Sequence, residues 1–111
     1  MAGAAIPRNR YLEAQALIAR CRVLFAATIA SFDLLLTASA PGEAPLGLDN
    51  TGEAIFNRLC SGLGVPCLNL PGFTGPKGLP VGIQVIGTID EDARLLRAAK
   101  WISGRVGDAA G

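Results

Sequence analysis

A chain of 111 residues that is 50% apolar and 17% charged, with a net charge of +1, fits one small domain. Its mean hydropathy of +0.41 is high for a small domain that has to keep a polar exterior, and implies apolar faces that expect a larger partner. The densest basic group, Arg8, Arg10, Arg20 and Arg22, is interrupted by Glu13 and forms no stripe able to neutralise phosphates, so no nucleic-acid partner is expected.

Absences narrow the chemistry further. There is no histidine, which excludes Ser-His-Asp and Cys-His catalysis and imidazole-based metal sites from within these residues. Cys21, Cys60 and Cys67 are odd in number, lack Cys-x-x-Cys spacing and sit among apolar neighbours. They read as free thiols, without a disulfide framework or zinc site, and fit a cytoplasmic location. No cofactor and no metal are expected.

In chain order, residues 1–7 are a loose apolar lead-in. Residues 9–31 predict one long helix with two apolar stripes. Leu12, Ala16, Ala19, Val23, Ala26 and Ala30 form one; Tyr11, Ala14, Ile18, Cys21, Phe25 and Phe32 form the other. Two stripes predict packing on two sides. The segment 23–40 imitates a signal peptide, ending in Ala38-Ser39-Ala40, but Asp33 interrupts it and Pro41 follows. It is also too short and broken for a membrane span, so no membrane partner is expected and the chain reads as soluble.

Asp33 to Ala38, Asp-Leu-Leu-Leu-Thr-Ala, has the largely apolar character of a strand covered on both faces. A Pro- and Gly-rich loop follows, from Pro41 to Gly52. Asn50 with Glu53 three residues later predicts a capping box that starts a second helix, with Ile55, Phe56, Leu59, Cys60 and Leu63 as its buried face. Gly62 or Gly64 ends it. The runs 67–70 and 79–86, separated by Gly75-Pro76-Lys77-Gly78, predict an antiparallel hairpin. A third helix begins near Asp90, with Thr88 as cap, an Asp90–Arg94 pair on its surface and Leu95, Ala99 and Ile102 on its inner face. The fold class is therefore α/β: a small mixed sheet, one buried strand plus an antiparallel hairpin, with three helices.

The Gly-rich segments are turns. Lys77 follows Pro76 and precedes Gly78, whereas a phosphate loop needs Gly-Lys followed by Ser or Thr at a helix start. Gly62-Leu63-Gly64 lacks the third glycine of a dinucleotide fingerprint, and Ser61 lacks the preceding glycine of a nucleophile elbow. The acidic trio Asp90-Glu91-Asp92 suits a helix N-terminus, where carboxylates favour the dipole.

The stretch from Gly64 to Gly87, Gly-Val-Pro-Cys-Leu-Asn-Leu-Pro-Gly-Phe-Thr-Gly-Pro-Lys-Gly-Leu-Pro-Val-Gly-Ile-Gln-Val-Ile-Gly, resembles the C-terminal part of amidase-signature enzymes. Tyr11-Leu12-Glu13-Ala14-Gln15 with its helix, Phe32-Asp33-Leu34-Leu35-Leu36-Thr37-Ala38, the Ala40–Pro45 loop and Phe56-Asn57-Arg58 resemble the family's elements in the same order, so the resemblance spans Pro7 to about Ser103. It implies an α/β enzyme with a large mixed sheet that cleaves carboxylic amides, or transfers the ammonia released. The catalytic groups it implies are a serine nucleophile, a bridging serine on a cis peptide and a lysine base. None is carried over: no two serines are adjacent, and the only lysines, Lys77 and Lys100, fall in a turn and a terminal helix. Ala38 stands where the family commonly has proline, and Phe73 where glycine often closes a turn.

The resemblance implies residues 8–104 as the C-terminal segment of an amidase-like domain and 105–111 as a flexible tail. It also implies scaffold and a wall of the acyl pocket, with Phe56, Asn57 and Phe73 as pocket candidates. The implied partner is the remainder of an amidase-like chain. Two alternatives stand beside it: a non-catalytic module that self-associates through apolar helix faces, and a fragment with no selected role. By itself the chain is expected to hydrolyse no amide.

Overall fold

The computed structural model describes residues 2–110. After a short 3-10 turn at Ala2–Ala5 come α1 (Arg8–Ile29), β1 (Leu35–Ala38), α2 (Arg58–Leu63), β2 (Cys67–Thr74), β3 (Pro80–Ile86) and α3 (Asp92–Ala110). The three strands form one sheet in the order β1-β3-β2. Three helices on a small sheet match the α/β expectation. Both pairings are antiparallel, so within this chain the sheet is not mixed.

The hairpin forms where turn chemistry demands it. Gly75 N–H donates to Leu79 C=O at 2.8 Å and Gly78 N–H to Gly75 C=O at 3.0 Å, closing the reversal. Gly78 takes φ +83°, which a side chain would resist. The ladder pairs Cys67 with Ile86 and Leu70 with Ile83, then slips at a bulge between Pro71 and Phe73.

Strand alternation sorts the sheet into two faces. Leu68, Leu70, Ile83 and Val85 face α3, whose Leu95, Ala99 and Ile102 complete the core as the apolar spacing predicts. Cys67, Asn69, Gln84 and Ile86 face the other way, toward α2. Cys60 and Leu63 of α2 and Ile29 at the end of α1 are buried on this side. Arg22 joins the two helices: its Nε donates to Leu63 C=O at 3.0 Å and its Nη2 to Gly62 C=O at 3.4 Å, satisfying carbonyls that the end of α2 leaves open.

Several expectations need correction. The helix after the loop begins at Arg58, because Asn50 Oδ1 accepts from Gly52 N–H at 2.8 Å in a local turn instead of capping a helix. Ile55 and Leu59 are exposed, so the five-residue buried face reduces to Cys60 and Leu63 with a half-buried Phe56. Asp90 lies outside α3 at φ +63°, and Arg94 pairs with Glu91 at 3.2 Å and Asp33 at 3.1 Å. β1 is an edge strand with Leu36 and Ala38 exposed, not a strand covered on both faces. α1 buries only Ile29 fully; of its two apolar stripes the first is exposed, and the second is covered only in part, at half-buried Ile18, Cys21 and Phe25. α3 continues to Ala110, through most of the stretch expected as a tail.

The molecule is open. A compact protein of 11.4 kDa exposes about 5,800 Å², but this one exposes 8252 Å². Its radius of gyration is 16.7 Å, against about 13 Å for a compact domain of this length.

Candidate functional site

The loop after β1 folds back over the turn end of the hairpin and leaves a cleft of about 490 Å³ between them. Its polar lining comes from Ser39, Glu43, Asn50, Thr51, Glu53 and Asn69, with Gly82 and Pro71 on the sheet side. No basic side chain lines it, so the two glutamates make it acidic.

Ser39, Glu43 and Asn69 are held in place by contacts across the cleft. Asn69 follows the alternation of β2 onto the face opposite the α3 core. Its side chain lies across Gly82 of β3, where any Cβ would overlap it. The Ser39 hydroxyl donates to Asn69 Oδ1, and Ser39 N–H donates to Gly82 C=O at 3.4 Å. Asn57 Nδ2 donates to Ser39 C=O at 3.3 Å, tying the start of α2 to the end of β1. Glu43 Oε1 accepts from Lys77 N–H in the hairpin turn at 2.7 Å, and its side chain occupies the space that a Cβ on Gly75 would take. The other oxygen, Oε2, is buried without a partner.

Beneath α2, Gln84 is a buried polar residue in an otherwise apolar strand. Its Nε2 donates to Phe56 C=O at 3.0 Å and approaches Cys60 Sγ at 3.7 Å. Burial, followed by the nearby Cys67 thiol, pushes the Cys60 pKa up from 9.0 to about 11, so this thiol stays protonated. Cys21 and Cys67 are free as well.

The cleft can hold and orient a ligand but contains no activated nucleophile. The Ser39 proton points at an amide oxygen, which is no base. Among the described residues, no group of three or more acidic or cysteine side chains is placed to bind a metal.

The three residues singled out from sequence are not gathered together. Asn57 reaches the rim through its bond to Ser39, Phe56 contributes its carbonyl to Gln84, and Phe73 sits half exposed at the β2 bulge opposite Val81. Of these neighbours, Ser39 and Val81 line the cleft; Phe56, Asn57 and Phe73 do not. Ser39, Glu43 and Asn69 were missed. For Asn69 a signal existed, a polar residue alternating with Leu68 and Leu70; for Glu43 only the fold supplies one.

No protein-family model matches the chain. The A subunit of glutamyl-tRNA(Gln) amidotransferase from Neisseria meningitidis serogroup C is 39% identical over 99 residues, which cover 83% of this chain and 20% of that protein. Its namesake from a Synechococcus strain is 32% identical over 96 residues, again 20% of its length. A crystal structure of an amidase superimposes with a TM-score of 0.83 at 31% identity, over 94% of this chain and 26% of the amidase. The chain is similar to amidase-signature proteins and fits a C-terminal segment of their fold. It spans about a fifth of the length of the curated relatives it matches. No described helix is long and apolar enough to cross a membrane.

Proposed function

We propose that the segment is scaffold for a complete amidase, and that the complete enzyme cleaves carboxylic amide C–N bonds in the cytoplasm. The observation that carries this is the likeness to an amidase over 94% of the chain at 31% identity. The segment supplies no reacting group: its two lysines lie in the hairpin turn and on α3, and its serines are isolated. Its contribution is shape. The Ser39–Asn69–Asn57 network holds one wall of the cleft; Phe56, Asn57 and Phe73 lie outside the cleft lining, and are proposed to meet the acyl group only where the rest of the enzyme completes the pocket.

The test is complementation. The purified segment alone is expected to release no ammonia from glutamine or simple amides. Combined with an amidase-signature body lacking its own final fifth, it is expected to restore turnover. In that assembly Phe73→Ala is expected to change KM or substrate preference; unchanged kinetics with lowered stability would leave Phe73 a packing role only. Turnover by the isolated segment, or no assembly with any such body, would refute the proposal.

A further inference from the structure

The turn from α2 into β2 brings two cysteines together. Gly64 ends α2 at φ +68°, with its N–H bonded to Cys60 C=O at 2.9 Å, and only Val65 and Pro66 separate it from β2. Gly87 N–H donates to Pro66 C=O at 2.9 Å, which fixes where β2 starts. Cys67 opens that strand opposite Ile86, and by alternation its side chain lies on the face that α2 covers. Cys60 projects from α2 onto the same face, with Gln84 Nε2 3.7 Å from its sulfur. The two thiols meet there, within hydrogen-bonding reach of each other. A disulfide needs side chains that converge in this way.

Their access to solvent differs. Cys67 is exposed, whereas Cys60 is only 3% exposed. A reagent in solution therefore reaches Cys67 first, and Cys60 is shielded from all but its neighbours. That asymmetry suits an entry thiol backed by a resolving thiol. The third cysteine, Cys21, stands half-buried on α1. Neither member of the pair lines the acidic cleft.

We infer that Cys60 and Cys67 form a redox-controlled clamp, which a small-molecule disulfide oxidises to a bond that fastens α2 to β2. The thiolate of Cys67 attacks one sulfur of the small disulfide, forming a mixed disulfide and expelling one small thiolate. Cys60 then gives up its proton and attacks the Cys67 sulfur, expelling the second. In all, the two protein thiols lose two electrons and two protons, and the small disulfide is reduced to two thiols. The second step is intramolecular, which offsets the reluctance of a buried thiol to ionise. The clamp also bears on the cleft. Asn57, just ahead of α2, donates to Ser39 C=O at the cleft wall, and Gln84 holds the Phe56 carbonyl beside it. A covalent tie at Cys60 steadies that wall. The inference is independent of the amidase reading.

The test is oxidation of the folded, reduced chain with oxidised glutathione, read by intact mass and peptide mapping. The expected product is lighter by about 2 Da, carries a Cys60–Cys67 linkage and keeps Cys21 free for alkylation. Cys60→Ala is expected to stop the reaction at glutathione on Cys67, and Cys67→Ser to prevent it at both positions. Cys21→Ser is expected to change nothing. The linkage is expected to form about tenfold or more faster in the folded chain than in denaturant. The oxidised chain is expected to melt about 5 °C or more above the reduced one, a gain that dithiothreitol removes. A parent chain left unreacted, stopped at glutathione on Cys67, or linked through Cys21 would overturn the pair. So would a linkage that forms no faster in the folded chain, because the fold would then not be what brings the thiols together. A linkage that leaves the melting midpoint unchanged or lower would overturn the clamp.

Discussion

Glu43 shows how much a single residue does in this segment. It fastens a loop with no regular structure to the hairpin turn through one carboxylate oxygen, and leaves the other buried without a partner. Glu43→Ala frees the Lys77 N–H and the loop, and is expected to cost about 1 kcal/mol. Glu43→Gln keeps an oxygen for that bond and removes the charge, so its stability is expected to stay within about 0.5 kcal/mol of the parent. Paired thermal melts of the two variants check this. Cys60 makes a pH prediction. Its folded pKa lies above that of an unfolded thiol, so ionisation favours the unfolded chain. Its contribution to stability is therefore full below pH 9.0 and is lost as pH rises toward about 11. Cys60→Ala is expected to flatten that decline in chemical denaturation, and at pH 8 a thiol reagent should modify exposed Cys67 well before Cys60.

The elements carry unequal loads. α3 is amphipathic and sits on the core face, so Leu95→Ala opens a cavity beside Val85 and is expected to cost about 2 to 4 kcal/mol. α1 is apolar on two sides with little to bury against, and Leu24→Glu in the isolated segment is expected to stay within about 0.5 kcal/mol. Denaturant titration of both variants separates the two helices. The same Leu24→Glu change is expected to weaken assembly with the amidase body, since only there does that surface find cover. The N-terminal turns of α1 hold their form through their own backbone bonds; the fastening to the rest is at the far end, through Ile29 and Arg22.

For the molecule as a whole, the surplus of roughly 2,500 Å² over a compact protein of its mass is as much surface as a large stable interface takes from one partner. An apolar dye such as ANS is therefore expected to bind the isolated segment and to be displaced when the amidase body is added. Dye binding that persists unchanged after assembly would mean that the exposed apolar surface is not where the two meet.

Much is legible in the residues themselves because the signals are local. Gly75-Pro76-Lys77-Gly78 between apolar runs determined the hairpin, and Leu95, Ala99 and Ile102 at helical spacing determined which face of α3 turns inward. The missing histidine and paired serines bounded the chemistry, and the order of motifs by itself pointed to the amidase family. What only the tertiary structure decided depends on partners distant in sequence. Asn50 satisfies the backbone of its own turn, which removes the capping box that its spacing suggested. Glu43 meets Lys77, Asn57 meets Ser39 and Asn69 crosses Gly82 through contacts that no periodicity encodes. The twin stripes of α1 and the run of β1 predict a burial that the structure shows only in part, at Ile29 and at half-buried Leu35 and Phe25. A stripe records that a face is apolar and is silent on what packs against it, because packing is decided by residues distant in sequence.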